Sequence, residues 1–305
     1  MSPDDETHDA TAAGAAGAGG RAVFGWMDGA VRPADELRIP VFDRTLLYGL
    51  GAFETVRLWS GRAYLLERHL ERLEHSLAAV ELPLPACVPG LPEGLAELAE
   101  RNGTPDALAR ITVTAGPEGA GADGMHVVVG LRAPPRRPPA GTVRVGLTNF
   151  THHVRTPLAG IKSTSYLVHY LLREQAEAAG RVDDLLLDES GHVTEATVSN
   201  VFLVRGGELL TPPLSEGILA GVTRGRLLEL AGGLGLRVRE DPVPRAVLDE
   251  VDECFLTGAG KGLLPVDVLL ERTLPVERPV SDALAAAHVA DIAARCGLPA
   301  EAVRF

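Results

Sequence analysis

The 305 residues are 46% hydrophobic and carry a formal charge of −12, enough apolar surface for one large or two medium domains and a balance that argues against nucleic-acid binding. Cys87, Cys254 and Cys296 form no CxxC pair and no even framework, which fits a reducing cytoplasm. No apolar run reaches the roughly 18 residues of a membrane span, and the N-terminus lacks the basic and apolar blocks of a signal peptide.

Residues 1–20 are low-complexity, rich in Ala and Gly, and are expected to be a disordered tail, with structure starting near Ala22. Leu66, Leu70, Leu73 and Leu77 fall at helical spacing and predict a helix over 65–77 with those leucines as its core contacts. Ala109–Thr114 and Val127–Leu131 read as strands. The segment 133–140 holds four prolines in eight residues and is expected to link a domain over 21–132 to a second over 141–305. The second half is predicted to begin with a strand at 142–147, followed by a helix over 165–179 stopped by Gly180. Strands over 184–188 and 198–204, joined by a turn at Ser190-Gly191, a helix over 224–234 and a strand over 252–257 complete the pattern. Helix and strand mix without regular alternation, so the expected fold class is α+β.

Several nucleotide and metal readings fail on spacing. Gly258-Ala-Gly-Lys-Gly262 has Gly after the lysine where a P-loop needs Ser or Thr, and Phe255 where it needs Gly. Gly49-Leu-Gly51 has Glu54 in place of the third glycine of a dinucleotide fingerprint. No HExxH or Cys/His cluster points to a metal, and His152-His153 reads as a solvated pair in a loop.

Six dispersed segments remain: 42–57 (FDRTLLYGLGAFETVR), 69–73 (HLERL), 160–166 (GIKSTSY), 194–202 (TEATVSNVF), 217–224 (GILAGVTR) and 255–266 (FLTGAGKGLLPV). Together, in this order over roughly 22–275, they resemble the class-IV aminotransferase family, the fold-type IV pyridoxal 5′-phosphate (PLP) enzymes. That family includes branched-chain and D-amino acid aminotransferases and 4-amino-4-deoxychorismate lyases. The resemblance implies a small N-terminal α/β domain, a larger C-terminal domain, PLP between them, and a homodimer whose partner helps wall the site.

On local sequence alone Lys162 is an ordinary surface lysine before a helix; the resemblance makes it the Schiff-base lysine that also shuttles the proton. Such an amine must be partly deprotonated, which burial among Leu158, Ile161, Tyr166 and Leu167 would favour. Glu195 matches the carboxylate at the cofactor's ring nitrogen; the plain alternative is a strand-edge glutamate facing water. Arg72 matches the arginine that pairs with the phosphate, a task suited to a guanidinium; alone it reads as a solvated helix arginine. Val222 and Thr223 open a helix whose free N–H groups would bind phosphate, with Thr223 also a candidate N-cap. Tyr166 would contact the cofactor or simply pack, and Asn200 reads as structural. Where family members carry Ser or Thr, Ala259 offers only its backbone N–H. Lys261 either binds an anionic group or points to solvent. Tyr48, Arg57 and Arg110 are substrate-pocket candidates, the first two flanking a turn at Gly49–Thr55.

The family divides by the fate of the activated amine-bearing carbon. Segments 47–57, 158–166 and 110–116 look closer to the lyases, so the expected reaction is release of pyruvate from aminodeoxychorismate to leave 4-aminobenzoate. An amino-acid transaminase is the alternative, and a binding module that has lost catalysis is a third. The expected partner is a small-molecule substrate, with no nucleic acid and no membrane.

Overall fold

A computed structural model describes residues 23–305; the low-complexity tail and Ala22 lie outside the described residues. The N-terminal lobe contains strands β1 (Phe24–Met27) and β2 (Ala30–Pro33), helix α1 (Arg44–Tyr48), strands β3 (Gly51–Trp59) and β4 (Arg62–Ala63), helices α2 (Leu66–Ala79) and α3 (Leu91–Asn102), and strands β5 (Ala107–Thr114) and β6 (Val127–Arg132). Its strands form one antiparallel sheet in the order β2-β1-β6-β5-β3-β4. Period-two alternation gives β3 two faces. Ala52, Val56 and Leu58 join Leu73 and Leu77 of α2 and Leu95 and Leu98 of α3 in the core. Phe53, Thr55 and Arg57 share the opposite face, and the register adds Leu108, Arg110 and Arg132 to it. The segment expected to turn at 49–55 is therefore largely strand: only Gly49, left-handed at the end of α1, turns the chain.

The C-terminal lobe begins with β7 (Arg144–Thr151), α4 (Leu167–Ala178), β8 (Asp183–Leu187), β9 (His192–Ala196), β10 (Asn200–Arg205) and β11 (Glu208–Thr211). It continues with α5 (Val222–Gly233), β12 (Val238–Glu240), β13 (Val243–Pro244), β14 (Glu253–Gly258), β15 (Gly262–Pro265), β16 (Val268–Leu269), β17 (Arg272–Thr273) and α6 (Pro279–Cys296). Two sheets, β13-β9-β8-β7-β16-β17 and β12-β11-β10-β14-β15, stack face to face. Val201 and Leu203 of β10 point to the other sheet, while Phe202 and Val204 point to Leu227 of α5 and Leu284 of α6. The Phe202 and Phe255 rings stack at 5.0 Å within this outer layer.

Three expected boundaries move. The strand expected over 198–204 starts at Asn200, because the Ser190-Gly191 turn closes a hairpin onto β9 and the chain then changes sheets. The helix expected from Arg224 starts at Val222, with Gly221 as N-cap and no side-chain cap bond, so Thr223 does not cap it. Ser165 and Tyr166 precede α4. The proline-rich 133–140 contains no helix or strand and runs between the lobes. No described helix is long and apolar enough to cross a membrane.

Candidate functional site

The two lobes enclose a cavity of about 950 Å³, lined from the N-terminal side by Phe53, Thr55, Arg72, Arg110 and Arg132 and from the C-terminal side by Lys162, Tyr166, Glu195, Thr223 and Lys261. The backbone of Lys162, on the C-terminal side, is pinned by the N-terminal lobe. Its N–H donates to Ser76 Oγ of α2 (3.2 Å), and its carbonyl accepts from Phe53 N of β3 (2.9 Å). The ammonium lies 4.6 Å from the Phe53 ring centre and 5.7 Å from that of Tyr166. Burial, reinforced by the Arg72 charge, brings the Lys162 pKa down to about 8.

Glu195, at the end of β9, is buried rather than facing water. Its Oε2 accepts from Asn200 Nδ2 and from Leu219 N, both at 3.2 Å. Asn200 also donates to Leu219 O (2.9 Å), so this amide fixes the carboxylate against the loop leading into α5. Burial pushes the Glu195 pKa up to about 7, against the Leu219 N–H and the Lys162 charge. Tyr166 meets Phe53 edge-on at 5.1 Å and stacks on His169, and burial followed by the Glu195 charge raises its phenol to about 12.

Arg72 comes with a partner to which the sequence alone had given no role. Its Nε and Nη2 donate to Glu54 (2.7 and 2.8 Å), and its Nη1 donates to Ala220 O across the lobe boundary (2.9 Å). His69 Nδ1 lies 2.7 Å from the same carboxylate. Burial alone would raise the Glu54 pKa, but Arg72 and His69 hold it at about 2, while burial lowers that of His69. The signal was available: Glu54 is the one acid among the β3 residues that face the core, with no water to solvate it. Beside this network, α5 opens with Val222 and Thr223 in its first turn and no side chain capping their N–H groups. Ala259 lies across from them in the β14–β15 turn and also lines the cavity.

Lys261 turns inward instead of into solvent. Its Nζ donates to Ser199 Oγ (2.7 Å) and lies 3.4 Å from Asp183 Oδ2. Asp183 is fully buried and also accepts from Thr197 and Ser199. Arg110 stacks over the Phe53 face at 3.6 Å, and its neighbour Arg132 lies on the same sheet face. Neither guanidinium has a carboxylate partner among the described residues. Pro135, Arg136 and Arg137 continue this wall, so the proline-rich connection is part of the cavity. Both histidines border the cavity: His152 is half-buried with Nδ1 3.0 Å from Thr194 Oγ1, whereas His153 is exposed, as expected, and pairs with Glu189. Two substrate-pocket candidates fall elsewhere. Tyr48 is 72% exposed on α1, and Arg57 is buried inside β3 at a second, smaller cavity.

A buried amine of lowered pKa, a buried carboxylate, and a capless helix start beside a paired arginine fit PLP: an aldehyde, a ring nitrogen and a phosphate each find a suitable group. Comparison with known proteins agrees. The sequence profile of "Amino-transferase class IV" matches residues 51–269. A "Putative branched-chain-amino-acid aminotransferase" of Methanocaldococcus jannaschii is 32% identical over 249 residues, 79% of this chain and 86% of that protein. The T.th. branched-chain amino acid aminotransferase solved with pyridoxamine 5′-phosphate superposes with a TM-score of 0.80 at 25% identity, covering 92% of this chain and 96% of that one. A putative 4-amino-4-deoxychorismate lyase from Legionella pneumophila superposes at 0.78 with 27% identity, covering 85% and 97%. The chain is thus a member of the class IV aminotransferases, a fold-type IV enzyme that works with pyridoxal 5′-phosphate.

Proposed function

We propose that the enzyme acts on an amine whose substrate carries a second carboxylate, most nearly as a 4-amino-4-deoxychorismate lyase. The observation that carries this reading is the Arg110–Arg132 pair. Two unneutralised guanidiniums on the cavity-facing sheet ask the substrate for negative charge, which an aliphatic side chain lacks. Aminodeoxychorismate brings two carboxylates. The lyase from Legionella pneumophila, similar in fold and sequence, supports the same reading.

When bound, PLP supplies an electron sink for charge developing at the amine-bearing carbon. Lys162 would hold it covalently. Glu195 would keep its ring nitrogen protonated, Tyr166 would face the ring, and Arg72 with the N–H groups of Val222, Thr223 and Ala259 would take the phosphate. Arg110 and Arg132 orient the carboxylates, and Lys261, anchored on Ser199 and Asp183, adds a further positive charge. The Lys162 amine would take the proton from the amine-bearing carbon; the ring carbon–oxygen bond to the three-carbon enol would break as the ring becomes aromatic, and the same amine would return the proton to the enol, giving pyruvate.

The branched-chain aminotransferases similar in sequence favour a second reading, transfer of the amine to a keto acid. One pair of assays separates the two. Aminodeoxychorismate should yield 4-aminobenzoate and pyruvate with no added keto-acid acceptor. Turnover of branched-chain or D-amino acids that needs 2-oxoglutarate, with no lyase product, would replace the first reading by the second. A homodimer belongs to the proposal. Leu46, Leu47 and Tyr48 of α1 and Leu167, Tyr170 and Leu171 of α4 are exposed apolar side chains, and Gly49 O joins the two segments by accepting from Thr164 and Ser165 hydroxyls.

A further inference from the structure

We propose that Arg57 is a second counter-charge for the cofactor phosphate, acting through one water in the small cavity behind the phosphate cradle. The inference rests on the phosphate lying at the start of α5, as proposed above. The small cavity, about 10 Å³, is lined by Arg57, Trp59 and His288 and shares Thr223 and Ala259 with the large one. That volume is room for a single water.

The polar groups around it are the reason to assign it a role. Arg57 Nε and Nη1, Trp59 Nε1 and His288 Nε2 are all buried and have no hydrogen-bond partner. The three residues are 5%, 2% and 2% exposed. Buried groups of this kind are almost always paired, and an orphaned guanidinium is the most destabilising of them. Asp106 acts on Arg57 only at a distance, with no ion pair between them. The Trp59 ring lies 4.2 Å from the Arg57 guanidinium carbon and holds it in place.

One water can partner three of these four atoms, leaving one Arg57 N–H over. It accepts from Arg57 and from Trp59 Nε1. It donates one O–H to His288 Nε2, an acceptor because burial holds that imidazole neutral with a pKa of about 4. Its second O–H is left for the phosphate, on the side where Ala259 has no hydroxyl to give. The charge balance points the same way. Arg72 already shares its charge with Glu54, so a phosphate dianion at α5 meets little net positive charge from it. Arg57 is uncompensated and stands one water away.

The test is titration of PLP into the cofactor-depleted full-length protein, read by the visible absorbance band, with ³¹P NMR of the bound phosphate. R57M should weaken PLP binding by ~10–100-fold, the effect of outer partners at bound ions, and should move the ³¹P resonance. Pyridoxal, which lacks the phosphate, should be captured equally by both proteins. R57K should keep most of the affinity, and A259S in the R57M background should restore part of it. W59F keeps the ring and loses one donor, so it should shift the resonance even if R57M does not fold. Unchanged PLP affinity and ³¹P shift in R57M, or equal losses for PLP and pyridoxal, would overturn the proposal. Wild-type protein with no borohydride-fixable PLP would instead bring down the function proposed above, and this inference with it.

Discussion

An amine that attacks a carbonyl near neutral pH must first shed its proton, and burial beside Arg72 prepares Lys162 for that step. Covalent capture of PLP by the cofactor-free protein should accelerate as pH rises and level off above about 8; K162A should show no borohydride-fixed cofactor at any pH. A rate flat from pH 6 to 9 would contradict the assignment. Glu195 is displaced the other way, up to about 7 from 4.5. A carboxyl raised on folding stabilises the protein below its unfolded pKa, and that contribution is lost as pH rises through the folded value. Cofactor-free E195Q should therefore gain melting temperature over wild type at pH 8 and little at pH 4.5. With PLP the same variant should keep its cofactor but lose ~10²–10⁴ in kcat, since a neutral amide does not hold the ring nitrogen protonated. Equal kcat in the two proteins would remove Glu195 from the chemistry. On the substrate side, R132A should raise KM for a dicarboxylate ~10–100-fold, the weight of one charge-assisted pair, and leave kcat nearly unchanged; steady-state kinetics decides.

Among the elements, the start of α5 carries the tightest fit. A Cβ on Gly221 would overlap Asn200 Oδ1, although the backbone there is ordinary for any residue. G221A should push the amide off Glu195, cost about 1–3 kcal/mol by overpacking, and loosen PLP; a denaturant melt and a PLP titration read both. E54A in β3 should be harsher, about 3–5 kcal/mol, because it leaves a largely buried Arg72 without its ion pair. The sequence was most legible where chemistry and period coincide: the leucines of α2, the strand around Ile111, and Lys162 before α4. It was least legible where a residue's role depends on a distant segment. Arg57 looked like a pocket arginine, but β3 continues through the expected turn and buries it against Trp59. Lys261 left two readings open, and the groups that decide between them, Asp183 and Ser199, lie more than 60 residues away. The helix α6 has no strong apolar stripe because alanines fill much of it; its buried set includes Ser281 and His288 beside Leu284 and Ile292.

At the scale of the molecule, charge and apolar surface are unevenly spread. The chain is acidic overall, with a formal charge of −12, yet its large cavity is walled by Arg110, Arg132 and Arg136. A dianionic substrate is repelled at long range and captured at short range, so KM should respond to added salt less simply than for a basic enzyme. The exposed leucines of α1 and α4 sit on two segments tied together at Gly49 O by the Thr164 and Ser165 hydroxyls. L171D should yield a monomer by analytical ultracentrifugation and a marked loss of activity, if a partner completes the site; an active, monomeric wild type would end that reading.

The cavity-facing sheet surface of Thr55, Arg110 and Arg132 belongs to the N-terminal lobe, whereas Lys162, Glu195 and Thr223 lie in the C-terminal half of the chain. On the roles proposed above, the arginines that select the substrate and the lysine and carboxylate that act on it are written on different parts of the gene. On those roles, a few codon changes along three neighbouring strands would retune which molecule is accepted while the lysine, the carboxylate and the helix start stay fixed. Such a division gives one scaffold a short route to new substrates, and it makes those strand positions the natural place to begin a directed-evolution library.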